Sequence, residues 1–81
     1  MKTFASRDFH ADDYKVAEQV REELAKGNPV KWINQYETFY GVGWYTWVKK
    51  QLEGIDCLIE VDLWNNHADI PSSLIISPRI A

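Results

Sequence analysis

The amino-acid sequence predicts an α+β fold in which two or three helices pack on one face of a small antiparallel sheet, in the order (β)-α-α-α-β-β. Two segments lead to this prediction. Residues 12–26 carry apolar side chains at helical spacing, and residues 57–63 alternate between apolar and polar side chains. The length of 81 residues suits one small α+β domain over residues 1–81.

The helix predicted from Asp12 or Asp13 to Lys26 is the clearest element of the sequence. Aspartates at its start suit the free amide groups and the positive end of the helix dipole. Gly27 is typical of the residue that follows a helix. The apolar positions form one stripe, at Val16, Ala17, Val20 and Leu24. Residues 2–7 are compatible with a short strand before it.

Residues 29–40 allow two interpretations. Asn28 and Pro29 are typical of a helix start, which favours a second helix over residues 29–40. In contrast, side chains of high strand propensity alternate from Tyr36 to Trp44, which favours a strand. We expect the helix because of its cap, with the choice between helix and strand open for residues 36–47.

A third helix is predicted from Trp44 to Leu52, after a chain break at Gly41-Val42-Gly43. Its apolar residues again fall at helical spacing, and lysines near its end suit the helix dipole. Gly54 is expected to close it.

The end of the sequence predicts two strands. In residues 57–63, Cys57, Ile59, Val61 and Leu63 are expected on one face, with Glu60 and Asp62 on the other. We expect residues 65–73 to form a polar loop. Residues 74–77 then form a last short strand, which Pro78 limits to an edge of the sheet.

The charge balance argues against two classes of partner. A net charge of −3 and a pI near 5.2 differ from the basic character of general nucleic-acid coats and membrane-surface binders. We therefore expect neither nucleic acid nor membrane as the partner. An alternative is a small nucleic-acid-binding protein that uses Lys31, Lys49 and Lys50 with the neighbouring aromatic residues.

The single cysteine, Cys57, cannot form an internal disulfide, which favours a reducing, cytoplasmic setting. No apolar run approaches the roughly 18–20 residues that span a bilayer. Residues 1–13 lack the apolar core of a signal peptide.

Catalytic residue types are few. The chain has His10, His67 and Cys57, with no motif that joins a thiol to a histidine. We expect no enzyme activity and no cofactor. Residues 62–69 bring Asp, Asn and His together, but their spacing fits neither a calcium loop nor a zinc site. Turn formation explains the asparagines, so we expect no metal.

Aromatic and acidic residues indicate a protein partner. Seven of the eleven aromatic residues lie between Trp32 and Trp47, more than a small core hides easily. Six acidic residues stand against two basic ones in residues 8–23, which can steer the chain onto a basic surface.

We therefore expect a non-enzymatic protein-interaction module that binds and inhibits or modulates a larger protein, such as a nucleic-acid enzyme or a toxin. In size and acidity alone, and without a shared motif, it resembles small inhibitors encoded by phages and mobile elements. Besides the nucleic-acid-binding alternative above, a second alternative is a homodimeric structural subunit. The expected partner-binding residues are acidic residues of the first helix, exposed aromatic anchors and a polar loop: Asp12, Asp13, Glu18, Glu22, Tyr40, Trp44, Trp64, Asn65, Asn66, His67 and Asp69.

Overall fold

The part of the chain that the structure describes contains two helices and four strands. The structure, a computed structural model, describes residues 1–6, 11–34, 40–64 and 71–79. In chain order its elements are β1 (Lys2–Ser6), α1 (Ala11–Ala25), β2 (Val30–Asn34), α2 (Tyr40–Gln51), β3 (Cys57–Trp64) and β4 (Pro71–Pro78).

The four strands form one mixed sheet in the order β1-β2-β4-β3. β1 pairs with β2 in parallel, and β4 pairs antiparallel with both β2 and β3. β1, β2 and β3 therefore share one direction, and each of the first two is followed by a helix. Right-handed crossovers that advance in one direction across a sheet place their helices on the same face. Buried residues of both helices accordingly meet the same strand residues in one core.

The predicted fold is wrong: the described residues form two helices and a mixed sheet, in the order β-α-β-α-β-β. The expected second helix over residues 29–40 is replaced at its start by β2, where burial alternates along VKWIN. Val30, Trp32 and Ile33 have high strand propensity, and β2 bonds to a neighbouring strand on each side. Residues 35–39 lie outside the described part, so the alternatives for them stay predictions.

The expected chain break at Gly41-Val42-Gly43 is also wrong, because these residues lie within α2. The helix predicted from Trp44 is confirmed, but it starts at Tyr40, which excludes a strand over residues 40–47. A glycine costs a helix about 1 kcal/mol. Burial of Trp44 and Val48 in the core offsets that cost.

Helix α1 matches its prediction closely. It ends at Ala25, and Gly27 adopts the left-handed conformation with φ of 87°. The backbone amide of Gly27 donates to the carbonyl of Leu24 at 3.0 Å, and the backbone amide of Asn28 donates to the carbonyl of Glu23 at 2.9 Å. These two bonds define a Schellman motif, which satisfies the carbonyls at the helix end.

The last strand is longer than predicted and lies inside the sheet rather than at its edge. β4 lies between β2 and β3, so β1 and β3 form the two edges. Its prolines, Pro71 and Pro78, are at its first and last positions. The residues between them retain their amide groups, so pairing on both sides is possible.

The core is organised around Trp32 of β2. Its indole Nε1 donates to Ser6 Oγ of β1 at 2.7 Å, and both side chains are fully buried. The rings of Trp44 and Trp47, on α2, meet it edge to face at centroid distances of 6.2 and 5.8 Å. Tyr14 of α1 extends the series by a T-shaped contact with Trp47 at 5.5 Å. Trp32 therefore links both parallel strands to the helical layer.

Glu23 is the buried carboxylate of the described residues. Its Oε2 lies 3.4 Å from Lys2 Nζ and 3.5 Å from Lys26 Nζ, and its Oε1 accepts from Asn28 Nδ2 at 3.3 Å. Burial raises the pKa of Glu23, but the hydrogen bond from Asn28 and the lysine charges outweigh it. The pKa is lowered from its ordinary value of 4.5.

Substitutions of Trp32 and Trp44 by phenylalanine form a matched pair. Within the described part of the chain, Trp44 Nε1 is buried without a hydrogen-bond partner. Both changes shrink a buried ring, but only Trp32→Phe also leaves Ser6 Oγ without its donor. We expect Trp32→Phe to lower the free energy of unfolding by about 1–3 kcal/mol more than Trp44→Phe, as measured by urea denaturation. Equal losses would show that the Ser6 bond contributes nothing.

Glu23→Gln should destabilise the protein in a pH-dependent way. A lowered folded-state pKa stabilises the fold above the unfolded-state pKa, and this contribution is lost as the pH falls through the folded-state pKa. We expect the variant to be less stable than the original near pH 7, with the difference shrinking below about pH 4.5. Denaturation at several pH values measures it, with exposed Glu22→Gln as the control. A pH-independent difference would contradict this assignment.

Candidate functional site

The sheet face opposite the helices has no described element packed against it. Val30 and Trp32 face the helical core, and so do their partners Ile76 and Leu74 in register. Alternation therefore directs the intervening residues to the other side. We call this side the open face. It comprises Thr3, Ala5, Lys31, Ile33, Leu58, Glu60, Asp62, Ser73, Ile75 and Ser77.

An apolar stripe crosses the open face diagonally. Ala5 is opposite Ile33, and Ile75 is diagonal to Ile33 on the neighbouring strand β4. Leu58 continues the diagonal on β3 and is 39% exposed. The stripe therefore touches all four strands, although this face has no helix over it among the described elements.

A polar contact lies beside the stripe. Lys31 Nζ is 3.3 Å from Asp62 Oδ2, which also accepts a hydrogen bond from Ser73 Oγ at 3.1 Å. The two charged side chains are each 34% exposed, so their ion pair is worth at most about 1 kcal/mol. Its main effect is to fix both side chains across three adjacent strands.

The end of β3 carries the most exposed apolar side chains of the sheet. Leu63 is 57% exposed and Trp64 is 55% exposed. The expectation that Leu63 shares the face of Val61 is wrong, because a bulge shifts the register between them. Leu63 is paired with Ser73, a residue of the open face, so the bulge turns Leu63 away from the core.

The expected aromatic anchors differ in burial. Trp44 is fully buried, so its expected role as an exposed anchor is wrong. It shares a helical stripe with Val48 and Leu52, and this stripe packs against the sheet. Trp64 is exposed as an anchor requires, and Tyr40 is the first residue of α2. Whether either binds a partner stays a prediction.

The expected acidic surface lies on α1. Glu18 and Glu22 are exposed one turn apart, and Asp12 and Asp13 are in the first turn of the helix. α1 packs over β1 and β2, whereas β3 is the opposite edge of the sheet. The acidic helix and Trp64 therefore belong to separate surfaces. The expected loop residues Asn65, Asn66, His67 and Asp69 lie outside the described residues.

Sequence reasoning missed the apolar residues of the open face. One signal was available in the run Leu74-Ile75-Ile76. In any strand, three consecutive apolar residues place at least one on each face. Leu58 offered the same signal, because it interrupts the polar face expected for β3.

The three lysines of the nucleic-acid alternative do not lie together. Lys31 is on the open face and is paired with Asp62. Lys49 and Lys50 are on α2, across the sheet, and Lys49 Nζ lies 4.4 Å from the centre of the Tyr45 ring. No single groove of the described residues contains all three, whereas single-strand binding needs a continuous basic track.

A groove of about 300 Å³ separates the two helices and is lined by Tyr14, Glu18 and Arg21 of α1 and by Gln51 of α2, among others. Arg21 Nη1 donates to the carbonyl of Gln51 at 2.7 Å. This bond uses one of the five N–H donors of the guanidinium and joins α1 to the end of α2, a structural role.

The described residues include no group of three or more His, Cys, Asp or Glu side chains arranged to hold a metal ion. None of their helices is both long and apolar enough to cross a membrane. His10 and His67 lie outside the described part. Comparison with family models, with curated proteins and with solved structures finds no match to this chain.

The thiol of Cys57 is half-buried at the start of β3. Burial raises its pKa, the charge of Asp56 raises it further, and Arg79 partly opposes both. A raised pKa lowers the thiolate fraction, which is the reverse of what a nucleophilic cysteine requires.

Thiol labelling tests this environment. We expect Cys57 in the folded protein to react with a disulfide reagent near pH 8 more slowly than in the unfolded chain. Asp56→Asn should speed the reaction by about twofold, because one of the causes of the raised pKa is removed. Glu53→Gln, which changes an exposed acid nearby, is the control. Labelling as fast in the folded protein as in the unfolded chain would contradict the assignment.

Proposed function

We propose that this chain is a non-enzymatic protein-interaction module that binds a larger protein and inhibits or modulates it. The observation that carries the proposal is the open face with the adjoining end of β3. There Leu58, Leu63 and Trp64 are exposed beside acidic side chains. Exposed apolar side chains gathered on one surface and rimmed by polar groups are typical of binding sites.

The composition of this surface supports a protein as the partner. Trp64 offers a large rigid area with a polar N–H, as interface anchors do. Leu63 precedes it in β3 and is exposed to nearly the same degree, 57% against 55%. Ile33 and Ile75 provide a flatter apolar area on the same side of the sheet.

Charge supports a partner with a basic surface. The chain has a net charge of −3, and the exposed carboxylates of Glu18 and Glu22 add to the field of Glu60. Such a field speeds encounters with basic proteins, including enzymes that bind nucleic acid and toxins that act on it. The proposal includes a cytoplasmic setting, in keeping with the free thiol of Cys57.

Capture from a lysate of the native cell tests the proposal. The tagged protein should retain one stoichiometric partner that resists nuclease treatment. Leu63→Ser combined with Trp64→Ser should reduce recovery at least about tenfold, because both anchors are removed. Tyr14→Ser is the matched control, since Tyr14 is 57% exposed but lies on the helical side.

Other recoveries would contradict the proposal. Loss of the partner with nuclease would favour nucleic-acid binding through Lys31, Lys49 and Lys50. Recovery of the chain alone, with sedimentation as a dimer, would favour the homodimeric structural subunit. Equal recovery with the Leu63/Trp64 variant would place the binding surface elsewhere on the protein.

A further inference from the structure

We infer that the outer edge of β3 accepts an added strand from the partner, and that this strand alternates basic with apolar residues. The inference rests on the proposed function and specifies the surface and the chemistry of the partner. It is carried by three observations: the unpaired edge of β3, the side chains that flank this edge, and the distribution of charge along it.

The edge is long enough to pair with another strand. From Cys57 to Val61, β3 keeps a regular register with β4, and the bulge comes only afterwards. β3 has no described strand on its outer side. An edge strand presents amide and carbonyl groups on its outer side, which an extended segment can bond.

The two faces of this edge require different side chains from the added strand. On the helical side, Ile59 and Val61 are half-buried at the margin of the core, so an apolar neighbour extends that core. On the open side, Glu60 is exposed and has no ion pair within the described part of the chain. A lysine or arginine opposite Glu60 complements its charge. Alternation of the two requirements gives a basic–apolar pattern.

Charge along this segment is of one sign. Residues 56–64 contain Asp56, Glu60 and Asp62 and no lysine or arginine. Only Asp62 of these three is neutralised by an ion pair among the described residues, through Lys31. The edge therefore attracts a basic segment and repels an acidic one.

The same charges disfavour a second copy of this chain as the added strand. Two copies of β3 can pair antiparallel about a two-fold axis that passes through one residue of the strand. Wherever this axis lies from Leu58 to Asp62, two carboxylates are set opposite each other. An axis at Glu60 pairs it with its own copy, and an axis at Val61 pairs Glu60 with Asp62. Like charges directly opposite each other destabilise a strand pair. The occupant is therefore a segment of a different, basic protein.

A charge-swap experiment tests the inference on the full chain. The probe is a short capped peptide that alternates lysine and valine, and binding is followed by NMR on the isotope-labelled protein. We expect shift changes and slowed amide exchange centred on residues 57–61. A peptide with glutamate for lysine should bind at least about tenfold more weakly, and N-methylation of alternate peptide amides should abolish binding.

Exchange of the charges supplies the decisive control. Glu60→Lys should weaken binding of the lysine peptide at least about tenfold and should strengthen binding of the glutamate peptide. Glu53→Lys, which makes the same change of charge at an exposed residue that follows α2, should alter the affinity for neither peptide by more than about twofold. This pattern separates local recognition at β3 from attraction to the net negative charge.

Several results would overturn strand addition. They are a Kd weaker than about 1 mM for the lysine peptide, shifts centred on α1, full binding by the N-methylated peptide, or no rescue by the swapped charges. If lysate capture still depended on Leu63 and Trp64, the proposed function would stand without strand addition. If the peptide results held but no protein were captured, the edge would bind strands and the proposed function would fall.

Discussion

The indole of Trp32 is the interaction on which the other features of the structure depend. Its hydrogen bond to Ser6 joins β2 to β1, and its edge-to-face contacts with Trp44 and Trp47 join β2 to α2. Because this ring must lie under the helices, the residues on either side of it, Lys31 and Ile33, face the other way. The core and the open face are therefore set by the same strand.

Local sequence patterns predicted the elements that form because of residues close together in the chain. α1 and the second half of α2 have apolar stripes at helical spacing, and Gly27 ends α1 through its backbone conformation. β2 could not be found in this way, because five residues after Asn28 and Pro29 fit a helix start equally well. Its identity is decided by pairing with β1 and β4, which come from both ends of the chain.

The candidate site was less predictable because exposure depends on tertiary placement. Trp44 and Trp64 are similar as sequence features. However, Trp44 is buried between α2 and the sheet, whereas Trp64 follows a bulge and is exposed. The bulge has no marker in the sequence, and it turns Leu63 from an expected core residue into an exposed one. The helical layer covers one side of the sheet only, so Ile75 adds to a surface that composition alone could not locate.

The acidic residues along β3 affect both aggregation and the choice of partner. An edge strand with exposed apolar side chains favours aggregation unless charge or irregularity opposes it. Here Glu60 and Asp62 oppose self-pairing, and the bulge between Val61 and Leu63 ends the regular register. The charges that oppose a second copy of the chain also favour a basic strand, so protection and selectivity have one physical origin. On the proposed function, affinity would come from the exposed side chains of Leu63 and Trp64, and the choice of partner from the acidic edge beside them.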